Sequence, residues 1–288
     1  MSALHSAALN ALGGCLGVRK GETVLVLCDS AGCEIASALS GAARELGAEV
    51  RLIETPPGRW PEDESAGTLA EMMKRSAALA LLMTRPDRLS RELDEAVARG
   101  ARVAVMTGVD AGCLIQTMEA DYTKISRLSQ RIAALLSVAG NVRITSPSGT
   151  DLEFRIDGRA ARADTGILQQ PGDKGDIPGG QVLVEPLSNT TAGKLVPDSS
   201  PVCPGGMTLT FEPEKKGTAR LCAFGIGTNG KARIDSPVAL ESQKARGGVR
   251  LVLENSARTG PAISGCLLTK ATLRLDGRLI VRDGELVV

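Results

Sequence analysis

Between residues 22 and 108, short apolar runs alternate with amphipathic segments. "ETVLVLCD" (22–29) is apolar without interruption at its centre, the pattern of a strand covered on both faces. "AGCEIASALSGAARELG" (31–47) then repeats Ala, Ile and Leu at helical spacing and stops at a glycine. The alternation goes on with a strand at 49–55, a polar Pro/Gly loop at 56–67, a helix at 68–77 and a strand at 78–84. A helix at 89–100, a strand at 102–108 and one long amphipathic helix over about 112–138 complete it. Strands separated by helices of this length predict a parallel, doubly wound sheet.

After Gly140 the period changes. "NVRITSPSGTDLEFRIDGR" reads as two strands joined by a Ser-Pro-Ser-Gly turn, and further strands are predicted at 181–186, 193–197, 207–213, 218–227, 247–255 and 271–288. "LDGRLIVRDGELVV" holds two Asp-Gly pairs between apolar runs, a strong hairpin signal. "GDKGD" (172–176) reads as an exposed loop. The expected architecture is α/β: an N-terminal doubly wound parallel-sheet domain over 1–138, then a mainly antiparallel β (α+β) domain over 139–288. "GGCLG" (13–17) is no dinucleotide fingerprint, because it follows a helix rather than a strand and lacks the full spacing.

Composition narrows the chemistry. The 34 Lys and Arg against 33 Asp and Glu leave a formal charge of +1, so no basic field calls for nucleic acid. Trp60, Tyr122, Phe154, Phe211 and Phe224 are too few for base stacking. Neither a signal peptide nor a membrane-spanning run is evident, so a soluble, cytoplasmic chain without a membrane partner is expected. The seven cysteines (15, 28, 33, 113, 203, 222 and 266) lack CxxC pairing, which predicts reduced thiols. His5 is the only histidine, and it sits in the first helical segment. The common Ser/His/Asp, Cys/His and zinc–histidine constellations all require a histidine, so His5 is expected at the surface or in packing.

One stretch suggests a site. In "GDIPGGQVLVEP" (175–186) a Pro-Gly-Gly turn delivers the chain into a strand whose first side chain is Gln181, with Gly180 letting the backbone approach closely. With "VRITSPSGTDLEFRIDGR", "FGIGTNGKARI", "GGVRLVLEN", the C-terminal hairpins and "ELDEAVARGARVAVMTG", it resembles the M29 metallopeptidases of the aminopeptidase T type and the related 2,5-dihydroxypyridine dioxygenases. The resemblance spans roughly 75–288.

That resemblance implies metal ligands, and this sequence departs from each of them. The family's Glu after the Pro-Gly turn is Gln181, a second Glu is Ala223, a strand His is matched by Arg250, and a final His-x-Asp is best matched by Cys266 and Leu268. The segment between Pro204 and Leu221 is also shorter than the family's. A divalent ion wants carboxylate or imidazole donors, so neither metal nor another cofactor is expected. The candidate roles are then Arg250 as a carboxylate anchor or oxyanion donor, with Gln181, Gly180 and Lys270 contacting substrate. Glu254 and Glu241 are candidate general bases, and Cys266 a candidate nucleophile.

The degenerate site resembles the crocagin-type peptidyl-rearrangement enzymes, which implies metal-independent rearrangement or cyclisation of a peptide or precursor peptide in natural-product maturation. The alternatives are a non-catalytic peptide-binding or regulatory partner, and a metallopeptidase or ring-cleaving dioxygenase with shifted ligands. The family resemblance further implies a homodimer.

Overall fold

The apolar runs of the first half become a parallel sheet in the computed structural model, which describes residues 2–56, 64–198, 208–213, 219–255 and 265–288. Its elements are α1 (Ala3–Leu9), β1 (Thr23–Asp29), α2 (Cys33–Glu45), β2 (Glu49–Thr55), α3 (Glu64–Arg75), β3 (Ala78–Leu82), α4 (Ser90–Ala98), β4 (Arg102–Val105) and α5 (Ala111–Met118). The strand order is β2-β1-β3-β4, all parallel, and every residue of β3 is buried, as a sheet covered on both faces requires.

Two features of this half differ from expectation. The predicted helix at 112–138 is two helices: α5 ends at Met118, and α6 (Tyr122–Val138) begins after a break at Glu119–Asp121. Periodicity alone does not show such a break, because both halves keep the same apolar spacing. Asp110 starts α5, accepting from the Cys113 N–H at 2.7 Å.

After α6 come β5 (Asn141–Thr145), β6 (Asp151–Arg155) and β7 (Arg162–Asp164). The "GDKGD" stretch is not a free loop. As β8 (Lys174–Asp176) it joins β4 in parallel and becomes the fifth strand of the first sheet. It does so through backbone groups: Val103 N–H donates to the Asp173 carbonyl at 2.8 Å, and Ile177 N–H to Val105 at 3.0 Å. With no apolar residue in "KGD", side-chain pattern gave no sign of it.

The rest is β9 (Gln181–Val184), β10 (Ala192–Leu195), β11 (Leu209–Phe211), β12 (Ala219–Gly227), α7 (Ala239–Lys244), β13 (Val249–Asn255), β14 (Cys266–Leu268), β15 (Thr272–Leu275), β16 (Arg278–Arg282) and β17 (Glu285–Leu286). These strands form two antiparallel sheets, β11-β10-β6-β5-β15-β16-β17 and β14-β13-β12-β9-β7. Both turn an apolar face into one core: Val142, Leu152 and Phe154 from the first meet Val182, Phe224 and Leu251 from the second, with Ile132 and Leu136 of α6. Phe154 and Phe224 stack edge to face across it, ring centroids 5.0 Å apart. The mixed α/β class, with a parallel sheet followed by antiparallel sheets, agrees with the sequence expectation.

The chain divides into two compact units, residues 1–122 with 166–179, and 123–165 with 180–288. The sequence rhythm places the boundary near 139. In the structure α6 belongs almost wholly to the second unit, because its apolar stripe joins the β core, and β8 returns to the first.

No helix among the described residues is long and apolar enough to cross a membrane. The six described cysteines are free thiols. Cys203, most of the loop at 56–67 and half of the segment between Pro204 and Leu221 lie outside the described residues.

Candidate functional site

The β14-β13-β12-β9-β7 sheet has two faces of opposite character. Alternation sends Val182, Val184, Phe224, Ile226, Val249, Leu251, Cys266 and Leu268 into the core. The intervening residues share the other face, and the register sets them in rows. Asp164, Gln181 and Gly227 are directly paired across β7, β9 and β12. In the next row stand Arg162, Leu183, Gly225, Arg250 and Leu267. Ala223 and Glu185 follow, one residue beyond the Phe224–Val184 pair.

Gln181 occupies the first position of β9 because the turn before it is built for close approach. Gly180 has φ +115°, and a Cβ there would come within 2.7 Å of the Asn229 Cβ. Its N–H donates to the Asp164 carbonyl at 2.9 Å, and its carbonyl accepts from Thr228 N–H at 2.8 Å. Both backbone polar groups of Gly180 are thus taken up within the chain, and its part at the site is to shape the turn. Gln181 itself is 3 % exposed, and its Oε1 has no hydrogen-bond partner among the described residues.

What covers Gln181 is the end of α7. A side chain on Gly227 would collide with the Ala245 carbonyl, so the absent Cβ lets the chain at 244–245 lie directly on this row. Lys244, fully buried, sends its Nζ to the carboxylate of Asp164. Gly227 and Asp164 are two strand spacings apart, about 9.6 Å, with Gln181 between them. The Lys244 stem thus crosses the row in which Gln181 stands and brings an ammonium to it.

Glu241 holds α7 in place. It is fully buried and accepts from the Arg233 N–H at 3.0 Å, from the Arg233 guanidinium and from Ser236 Oγ at 2.5 Å. Burial alone would push its carboxyl up; the hydrogen bonds from Arg233 and Ser236 outweigh that and hold it below the usual carboxylate range. One helical turn on, Lys244 occupies the same buried side of α7.

The structure brings Gln181 and Arg250 to one face and separates the other candidates from them. Arg250 lies two strands across and one row along from Gln181, on the order of 12 Å between Cα atoms, and packs against Gly265. Cys266 and Leu268 point the opposite way, into the apolar core, and Leu267 is their neighbour on the Arg250 face. A thiol enclosed by Leu251 and its neighbours is a packing group. Glu254 lies four residues beyond Arg250, exposed, with Arg220 at 2.7 Å holding its carboxyl below the usual range. Glu241, sealed by Arg233 and Ser236, has no proton-accepting edge to offer a substrate. Lys270 is exposed in the β14–β15 turn, its N–H donating to Asp198. His5 lies in the other unit, paired with Glu45 at 2.6 Å on the surface.

Lys244, Asp164 and Glu185 escaped the sequence reading. Lys244 ends a six-residue helix in a region of strand signals, and nothing in "ESQK" announces burial. Only the Glu241–Lys244 spacing hints that the two share a side. Asp164 and Glu185 become visible once the register pairs them with Gln181 and Ala223.

A sequence profile of the family described as NicX, 2,5-dihydroxypyridine 5,6-dioxygenase, matches residues 4–212. The chain belongs to the NicX family. Of the ligand positions discussed above, the matched stretch includes Gln181 and ends before Ala223 and Arg250. Among solved structures, the 2,5-dihydroxypyridine dioxygenase from Pseudomonas putida KT2440 superposes with a TM-score of 0.76 at 17 % identity, covering 100 % of this chain and 98 % of that one. Wild-type AmpT from Thermus thermophilus gives 0.66 at 14 % identity, covering 99 % of both chains. At these identities the likeness establishes the NicX fold and no more. No curated protein matches.

The side chains on this face do not fit a metal ion. An amide, a methyl group, a guanidinium and Leu267 stand at or beside the positions where the resemblance implies ligands, and an ammonium crosses the first row. Among the described residues no three His, Cys, Asp or Glu side chains gather in a way that holds one.

Proposed function

We propose that this NicX-fold protein takes a peptide on the outer face of its β14-β13-β12-β9-β7 sheet and acts on it without a metal ion. The observation that carries the reading is the buried, unpartnered Oε1 of Gln181 beside the Lys244–Asp164 pair. A buried acceptor without a donor costs about 1–3 kcal/mol, a deficit that a peptide amide N–H removes once the chain at 244–245 that covers Gln181 gives way to it. Arg250, on the same face, donates to a carbonyl and stabilises negative charge that develops on it. Lys244 and Asp164 form an ion pair on the row of Gln181, and in this reading they carry the proton. Positioning, one oxyanion donor and one proton relay suffice for a redox-neutral rearrangement or cyclisation of a peptide backbone, the chemistry implied by the crocagin-type resemblance.

The test is elemental analysis of purified, untagged protein prepared without chelator, before and after soaking in zinc, manganese and ferrous iron. The expected result is no stoichiometric metal in any sample. Gln181→Glu alone should change nothing, since Ala223, Arg250 and Leu267 still supply no donor. Close to one ion per chain overturns the reading.

Family membership supports a second reading, a ring-cleaving dioxygenase or peptidase with ligands drawn from elsewhere. Iron-dependent oxygen uptake on 2,5-dihydroxypyridine, measured with the iron-soaked sample, would establish the dioxygenase, and metal-dependent release of an N-terminal residue from a peptide would establish the peptidase.

A further inference from the structure

Beside Ala223, on the same outer face, lies a cavity of about 440 Å³ in which Arg159, Arg162 and Glu185 meet the apolar walls of Leu183 and Ala223. Its size falls in the range of small-molecule sites. Charges of both signs line it, with the cations in excess. Arg159 Nε is buried and has no hydrogen-bond partner among the described residues. A concave, half-apolar space lined by two guanidinium groups and a single carboxylate is an arrangement that an anion completes.

Placement explains how the arginines get there. Arg162 is paired in register with Leu183, so it projects over the β9 edge of the row that holds Arg250. Arg159 comes from the turn just before β7, where its N–H is tied to the Ile156 carbonyl at 2.9 Å. Glu185 enters from the end of β9, next to Ala223. Two cations and one anion leave the cavity with a net single positive charge. That favours a monoanion over a phosphate or other polyanion, which Glu185 repels.

We propose that this cavity binds the carboxylate of a small organic acid or of a peptide C-terminus, with Arg159 and Arg162 as the anion partners and Leu183 and Ala223 against the adjoining aliphatic group. The assignment rests on the reading that this face is the ligand face, and it names the chemical group that anchors the ligand. It involves no covalent step.

Isothermal titration of the full-length protein tests it with three probes: N-acetyl-leucine, its amide N-acetyl-leucinamide, and the tripeptide Leu-Leu-Leu. The expected result is binding of a free carboxylate and none of the amide. Arg162→Gln, an exposed change that leaves the fold intact, should weaken that binding roughly tenfold or more, the loss of one charge-assisted contact. Arg159→Lys keeps the charge but loses the fork and should weaken it to a similar degree. Tighter binding of the acetylated amino acid names a free acid as the ligand; tighter binding of the tripeptide names a peptide terminus. Equal binding of acid and amide overturns the assignment, as does no binding of any probe, or wild-type affinity in both arginine variants. Metal found on a protein that still binds carboxylate in this way would end the metal-free reading and leave the cavity assignment standing.

Discussion

The two faces of the sheet built from β7, β9, β12, β13 and β14 are made by the same strands, residue by alternate residue, yet they obey different rules. On the core face almost every position is a fully buried Val, Leu, Ile or Phe, and Phe224 meets Phe154 across the sandwich. On the outer face the rows hold glycines, an amide, arginines and a buried ion pair. Packing density fixes the first face, since a lost methylene there leaves a void. The second is constrained by hydrogen bonding and charge, which several sets of side chains satisfy. A sheet can therefore keep its architecture while the chemistry of one face is replaced, and family membership here certifies the core face far more than the outer one.

Substitutions on the two faces should separate these rules. Phe224→Ala removes a core ring and should cost about 3–5 kcal/mol in denaturant unfolding, with no second substitution nearby restoring it. Lys244→Met should cost a similar ~3–5 kcal/mol, because it breaks a buried ion pair by removing the ammonium that faces the Asp164 carboxylate. Here the loss should be largely recovered by adding Asp164→Leu. If the double variant stays as unstable as Lys244→Met, the outer face is packed as rigidly as the core and the contrast fails.

Gly180→Ala is the next in size, at ~1–3 kcal/mol, since the new methyl must occupy a positive φ and press on Asn229. Unchanged stability in that variant would show the turn to be adaptable.

Glu241 gives a smaller effect that depends on pH. Its carboxyl titrates lower in the folded chain than in the unfolded one, so its contribution is complete at neutral pH. The contribution is lost as pH falls through the usual carboxylate range towards the folded value. The stability gap between wild type and Glu241→Gln should accordingly narrow on acidification; a gap that does not depend on pH would mean the carboxylate contributes only its shape. Arg250→Ala should have the least effect on folding, within about 0.5 kcal/mol, while ligand binding on the face falls. Wild-type binding in that variant removes Arg250 from the site.

The sequence made the core face legible and much of the outer face opaque, for the same reason. Alternation of Val, Leu and Phe with smaller or polar residues announces strands such as Gln181–Val184 and Val249–Asn255 and says which side is buried. It is enough to place Gln181 and Arg250 on strands, and the register sets both on one face of the sheet. Cys266 faces the core instead of the cleft, because a one-residue difference in pairing decides between the two and a run such as "CLL" carries no alternation to settle it. Lys244 and Asp164 lie 80 residues apart in the chain. Their meeting depends on α7, a helix too short for its period to register, and on Gly227 leaving room above the strand. β8 leaves no mark in the sequence pattern for the complementary reason that it is held to β4 through backbone groups.

That last strand has a consequence for how the molecule is made. The parallel sheet of the first unit takes its fifth strand from residues 174–176, synthesised after α6 and the first three strands of the second unit. Until they emerge from the ribosome, β4 has an open edge on the side where β8 will pair. A fragment cut at the apparent boundary near 139 would keep that edge permanently. The two units are thus interleaved in the gene and cannot be exchanged as cassettes. Any recombination that preserves the first must carry the segment at 166–179 with it.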